Sequence, residues 1–317
     1  MFHFDDGLML TRAQLAVDVR RRQPRGFISH AHSDHIARHE YTLCTPETAA
    51  LVAHRLGRRR FLELPYRKTM EWGGLRLTTY PAGHCLGSAM LLAEDEQHGR
   101  LLYTGDFKLG PSATAEQAEL PRADVLVIES TYGDPHYRLP PREEAVAQLI
   151  AAAAEAIEKK RVPVVLAYTL GKAQEVTKIL TSAGFPVVQH RHVFAVSAVY
   201  QRCGVDLGPI EQFEDSVPRG AVLIVPPRVG PPPGIGRCTT IMATGWALAP
   251  WMARQRGIDR AVPLSDHADY DELIEAVRRV GPREVYCTHG PPEFVERLRN
   301  EGFDAYPLGR SRQSRLF

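Results

Sequence analysis

Within six residues the chain carries His30-Ala31-His32-Ser33-Asp34-His35, four side chains able to bind a metal ion. Alternate residues of an extended backbone point the same way, so His30 and His32 share a direction. Asp34 and His35, on the turn that follows, take another. That spread suits two neighbouring metals better than one. Imidazole and carboxylate donors favour zinc, manganese or iron over calcium or magnesium. Three more donors stand beside glycine near strand-like segments: His84 in Ala82-Gly83-His84, Asp106 in Thr104-Gly105-Asp106 and His289 in Thr288-His289-Gly290. With the run they make a set large enough for a dinuclear hydrolytic site.

These residues need a scaffold that brings distant strand ends together. Residues 26–29 read as a short apolar strand ending in the histidine run, with further strands at 75–80, 89–93, 100–104 and 124–129. A helix is expected near 46–56. Strands joined by loops with polar clusters predict a sandwich with functional residues at one edge. The rhythm changes at Leu139-Pro140-Pro141. A long helix over 142–160 follows, then strand 162–167, helix 171–182, strand 185–189, helix 192–202 and strands at 221–225 and 239–243. This alternation predicts a separate α/β subdomain over 138–261, inserted between a first segment (1–137) and a last one (262–317). In the last segment a strand at 260–265 leads to Asp266-His267, and a strand at 284–288 leads to His289. Two strands ending in histidine are expected at a shared sheet edge.

Composition sets the limits. The 317 residues are 44% hydrophobic and 24% charged, which fits a globular protein with a full core. No apolar run approaches the ~20 residues of a membrane span, and Met1 to Asp6 lacks signal-peptide character; a cytoplasmic location is expected. The five cysteines are scattered without a CxxC pair, which argues against a disulfide framework or a thiolate zinc site. Net charge is only +2, yet 33 of the 39 basic residues are Arg, grouped at Arg20-Arg21-Arg22 with Arg25 and at Arg58-Arg59-Arg60. A solvated surface is the plain reading, and phosphate contact the alternative. His190 and His192 mimic the HxH pattern, but no Asp-His follows, and they read as surface or helix-cap residues.

The His30–His35 run, Gly83-His84, Gly105-Asp106 and His289 resemble the metal motifs of the metallo-β-lactamase fold. Glu129-Ser-Thr-Tyr-Gly133, Leu264-Ser-Asp-His267-Ala-Asp-Tyr270 and Thr288-His289-Gly290 are similar to the signature motifs of its β-CASP nuclease branch. Ala167-Tyr-Thr-Leu-Gly171-Lys172-Ala-Gln-Glu175 and Ala243-Thr-Gly245-Trp246-Ala247 look most like the bacterial DNA-ligase-associated exonucleases. The resemblance implies an αββα sandwich with an inserted α/β β-CASP subdomain. It assigns His30, His32 and His84 to one divalent metal, zinc or manganese, and Asp34, His35 and His289 to a second, with Asp106 between them. It also implies that Asp5, or its neighbour Asp6, orients a ligand from behind. Asp34, His267 and Glu129 are the catalytic candidates, His267 as general acid held by Glu129.

The start of the helix at Gly171, with Lys172, reads as a phosphate site, and Thr244-Gly245 as a similar one. Tyr168 and Trp246 are candidates for base stacking. The function expected is a dinuclear metal-dependent nuclease acting on single-stranded nucleic acid, foremost a DNA exonuclease of repair, with a DNA ligase or helicase as partner. The alternatives are an RNA-processing ribonuclease, a metallo-hydrolase of small molecules, and a silent binding module. The full ligand set argues against the last, and Glu129, His267 and the insert against the small-molecule enzyme.

Overall fold

Short strands build the first part of the chain. The computed structural model describes residues 1–4 and 7–309, which divide into two units. Unit one comprises residues 1–111, 115–135 and the chain from His267 onward; unit two comprises 112–114 and 136–266.

In unit one, β1 (Phe2–Phe4), β2 (Leu8–Leu10), β3 (Leu15–Val17), β4 (Arg25–Phe27), β5 (Tyr41–Cys44) and β6 (Arg60–Glu63) form one sheet in chain order. From β3 to β6 the strands run parallel. Helix α1 (Pro46–Leu56) crosses from β5 to β6. The Thr45 hydroxyl caps it by accepting from Thr48 N, and Pro46 suits its first turn. The second sheet begins with β7 (Thr69–Trp72), β8 (Leu75–Pro81), β9 (Ala89–Asp95) and β10 (Gly99–Tyr103), joined by β11 (Val125–Glu129), parallel to β10.

The chain then builds unit two: α2 (Arg142–Glu158), β12 (Val162–Leu166), α3 (Lys172–Ser182), β13 (Val187–Gln189), α4 (Arg191–Arg202), β14 (Ile210–Gln212), β15 (Val222–Val225), β16 (Cys238–Ala243) and β17 (Arg260–Val262). The strand order is β14-β13-β15-β12-β16-β17, and every pair is parallel. Continuous apolar strands such as Val222–Val225 are what a sheet buried on both faces demands. One face packs Val165, Ile224 and Ile241 against Leu149 of α2 and Val176 of α3; the other buries Val164, Leu223 and Met242. Here the structure corrects one expectation. The strand at 260–262 pairs with β16 in this sheet and does not lie beside the later histidine strand.

Unit one resumes with α5 (Tyr270–Val280), β18 (Glu284–Thr288), α6 (Glu293–Asn300) and β19 (Ala305–Pro307), completing the second sheet as β19-β18-β11-β10-β9-β8-β7. Alternation along its strands serves two cores. Leu101, Tyr103 and Val127 meet Leu10, Phe27 and Leu43 of the first sheet, while Leu102, Leu126 and Ile128 meet Leu273 and Val277 of α5 and Phe294 of α6. This is the expected sandwich. Asp269 caps α5 by accepting from Glu272 N at 2.9 Å, and Gly281 in the left-handed region ends it. Such a cap contributes about 1 kcal/mol.

Candidate metal centre

All the residues assigned to metals lie in unit one, on loops that leave strand ends. Ile28 and Ser29 continue the pairing of β4, through Ile28 N to Leu43 O at 2.9 Å and Ala89 N to Ser29 O at 2.9 Å. His30 therefore emerges at a braced point. His84 sits in the β8–β9 turn, where Ser88 Oγ accepts from the amides of His84 (3.2 Å) and Cys85 (3.1 Å). Asp106 follows β10 through Gly105, whose φ of +56° and tight approach to Ser29 Oγ exclude a side chain. His289 follows β18 in the left-handed region, φ 57°. A Cβ on Gly290 would collide with the Ser130 carbonyl, so only glycine follows His289 there.

The donors converge. His32 Nδ1 stands 3.0 Å from both His30 Nε2 and His84 Nε2. Asp106 Oδ2 lies 3.5 Å from His30 Nε2, 3.4 Å from His35 Nε2 and 3.9 Å from His84 Nε2. Ligand atoms of His30, His32, His84 and Asp106 fall within 4.8 Å of one another, as do those of His35, Asp106 and His289. His32 Nδ1 carries either one proton or one lone pair, so it cannot serve both neighbouring nitrogens fully as a hydrogen-bond partner. A shared cation satisfies them, and tetrahedral nitrogen and carboxylate sites are the preference of zinc. The residues present thus fit metal binding, with Asp106 common to both groups. Asp34 stands at the rim, 66% exposed, with Oδ2 3.9 Å from His35 Nε2.

Charge couples the set. Burial, then the neighbouring His35, holds the His30 pKa well below its ordinary value. Burial also opposes a charge on His35, but Asp106 and Asp18 push its pKa well above the usual range. Burial would raise the Asp106 pKa; His35 and then His267 hold it well below the usual carboxylate value instead.

The carboxylate behind the ligands is one the sequence reading passed over. Asp18 Oδ1 accepts from Ser29 N at 2.8 Å, and Oδ2 stands 2.8 Å from His35 Nδ1 and accepts from Tyr103 OH at 2.8 Å. Asp18 thus contacts His35 from the position expected of Asp5, which lies outside the described residues with Asp6. Its signal was the same as that of Asp106, an aspartate just past a short apolar strand, but Arg20-Arg21-Arg22 masked it. Glu129 and His267 meet as expected: His267 Nδ1 is 2.9 Å from Glu129 Oε1, and the His84 and His267 rings are 4.6 Å apart.

In unit two the expected phosphate contacts look different. Lys172 is 1% exposed, with Nζ 3.1 Å from Glu175 Oε2 and 3.8 Å from Asp266 Oδ1. Burying an unpaired ammonium costs several kcal/mol, and Glu175 answers the charge of Lys172. Gly171 N donates to Gln174 Oε1 at 2.9 Å. Thr244 Oγ1 accepts from Trp246 N at 3.2 Å, and Gly245 is buried. The Trp246 ring packs edge-on to Tyr137, 5.1 Å away, while Tyr168 is exposed. His190 caps α4 through Nδ1, which accepts from His192 N.

Sandwich, strand-end histidines and inserted parallel sheet are the architecture of the metallo-β-lactamase fold. Residues 258–307 match the Zn-dependent metallo-hydrolase RNA specificity domain. The chain is 38% identical over 319 residues to a protein named "Probable DNA ligase" from Opitutus terrae, an alignment covering 99% of this chain and 31% of that one. It is 32% identical over 205 residues to the 5′ exonuclease Apollo of Gallus gallus, covering 58% and 42%. The chain thus spans under half the length of these relatives. A crystal structure of a protein of unknown function from Enterococcus faecalis shares the fold, with a TM-score of 0.63 at 15% identity, covering 90% of this chain and 79% of that one. In these matches the chain is similar to proteins of the β-CASP branch of the metallo-β-lactamase fold.

Proposed function

We propose that this chain is a dinuclear metal-dependent nuclease that hydrolyses phosphodiester bonds of single-stranded nucleic acid, foremost a DNA exonuclease of repair. The observation that carries the reading is the convergence of His30, His32 and His84 with Asp106 and of His35 and His289 with the same Asp106, with His267 beside them. His30, His32 and His84 would hold one divalent ion and Asp34, His35 and His289 the second, Asp106 serving both. When bound, zinc or manganese would polarise water and neutralise the scissile phosphate.

The chain's own groups do the rest. Asp18 fixes the ring of His35 through Nδ1, leaving Nε2 toward Asp106. Glu129 fixes His267 through Nδ1, so proton delivery to the departing sugar oxygen falls to Nε2. A proton donor aligned beside the metal ligands is what cleavage of an alkoxide leaving group requires, and a thioester, whose thiolate departs unaided, has less need of it.

The match over 99% of this chain to part of a protein named as a DNA ligase supports a nuclease that prepares DNA ends beside a ligase or helicase. A second reading, an RNA-processing nuclease, rests on the RNA specificity domain matched at residues 258–307. Among the described residues no helix is long and apolar enough to cross a membrane. A time course on DNA and RNA strands labelled at either end, with zinc and manganese compared, tests both readings. Products shortened from one DNA end support the first; cleavage of RNA alone supports the second; no turnover with either polymer rejects both.

A further inference from the structure

Two arginine runs more than thirty residues apart in sequence are brought to one edge of the first sheet. Parallel pairing sets Arg25 opposite Tyr41 and Tyr41 opposite Arg60, so the runs preceding β4 and β6 both arrive at the start of their strands. The metal loop leaves the other end of β4, and residues 31–40 return from it to the start of β5, carrying Arg38. Glu40 N donates to Gln23 O at 3.0 Å, which binds this return segment to the first run.

The edge is basic and not neutralised by neighbours. Among the described residues, Arg22 to Glu40 at 3.2 Å is the one ion pair in the group, and Arg22 remains 67% exposed. Arg59 Nε is buried without a hydrogen-bond partner, while its Nη2 donates to Leu56 O at 3.1 Å. Burial, then Arg38 and Arg22, lowers the Arg59 pKa, so these guanidiniums lie close enough to repel. Tyr41 is 39% exposed among them, with the Arg60 guanidinium 5.5 Å from its ring centre. Exposed arginines interleaved with an exposed aromatic ring suit a nucleic-acid strand, whose phosphates take the charge and whose bases stack.

We propose that Arg22, Arg25, Arg38, Arg59, Arg60 and Tyr41 form an accessory site for the phosphate backbone of single-stranded nucleic acid, on the edge of the sheet away from the metal loop. The choice of polyanion rests on the nuclease reading. Arg25 lies five residues before His30, at most about 18 Å of extended chain, so one single strand of modest length can span both places.

The test measures binding of fluorescent oligo-dT of 5 and 30 nucleotides to the metal-free full chain across a salt series. Arg22→Ser/Arg38→Ser/Arg60→Ser should weaken the 30-mer by on the order of tenfold and lower the slope of log affinity against log salt by about 2, at ~0.7 per phosphate contact. The 5-mer, which covers fewer phosphate contacts, should lose less affinity than the 30-mer. The same three positions as lysine should retain most of the affinity and slope, and thermal melting confirms that both variants fold. Unchanged 30-mer affinity and slope in the serine variant, or no 30-mer binding by the parent chain, overturns the site. Hydrolysis of bis-p-nitrophenyl phosphate by the metal-loaded protein reports the metal centre separately, so failure of the nuclease reading is told apart from failure of the patch.

Discussion

Glu129 Oε1 stands 2.9 Å from His267 Nδ1, and the same oxygen accepts the Phe107 amide at 3.0 Å. Ala268 N returns a bond to Phe107 O at 2.6 Å. The peptide after Asp106 and the residues around His267 are thus tied through one carboxylate. Glu129 also accepts from Thr131 Oγ1 at 2.6 Å and is buried, so its orientation is fixed.

Glu129→Gln should keep the metals but misalign the histidine, since an amide can present N–H where an acceptor is required. Turnover should fall about 10²–10³-fold, while His267→Ala loses about 10²–10⁴-fold, the usual worth of a general acid. Metal content by plasma emission spectroscopy should stay at the parent value in both. Lost metal in His267→Ala would show it to be a ligand.

Asp18→Asn removes the acceptor from His35 Nδ1. Supporting carboxylates of this kind typically govern 10–100-fold in metal affinity. Chelator competition should show one of two ions weakened by that factor. Equal affinity for both, unchanged from the parent, contradicts the role.

Metal uptake should release a proton. Asp106 and Asp18 raise the His35 pKa well above 6.5, so in the metal-free chain this ring is charged at neutral pH and must lose its proton to become a ligand. His30, already neutral there, adds none. The sign for stability agrees: the raised pKa stabilises the metal-free fold fully below about pH 6.5, and that contribution fades as pH rises through the folded value. Titration calorimetry at pH 7 in buffers of different ionisation enthalpy should give a slope of about one proton or more. A buffer-independent heat rules this out.

Lys172→Met should destabilise unit two by about 3 kcal/mol, because it takes from the buried Glu175 the ammonium 3.1 Å away, although Arg142 stays at 3.1 Å. Urea unfolding reads this directly. If Lys172 instead served substrate phosphate, KM would rise with stability unchanged.

Gly290→Ala drives a methyl into the Ser130 carbonyl and should displace His289. Loss of one of two ions, with the fold retained by circular dichroism, is the expected result.

Much of the site was legible because ligand-type residues clustered at strand ends are hard to explain otherwise, as at His30–His35. Strands such as Val125–Glu129 and Val222–Val225 were legible as apolar runs. Three-residue strands such as Phe2–Phe4 and Leu8–Leu10 are too short to show a period. Arg260–Val262 could pair with either sheet, and only its register with Ile241 decides. The burial of Lys172 beside Glu175 was not legible, because a lysine at a helix start carries no local signal of the carboxylate it meets.

The parallel pairing of β11 with β18, Val125 to Glu284 through Glu129 to Thr288, sets a timetable for biosynthesis. When β11 leaves the ribosome its partner is still unmade, and roughly 150 residues follow first, about 10–30 s at ordinary elongation rates. During that interval Leu126, Val127 and Ile128 form an open strand edge, the kind of surface that recruits chaperones or aggregates. The insert can fold on its own sheet meanwhile, but His267 and His289 arrive only after it. The nascent chain therefore carries no complete centre until the insert has been made, and metal loading belongs to the last stage of its maturation.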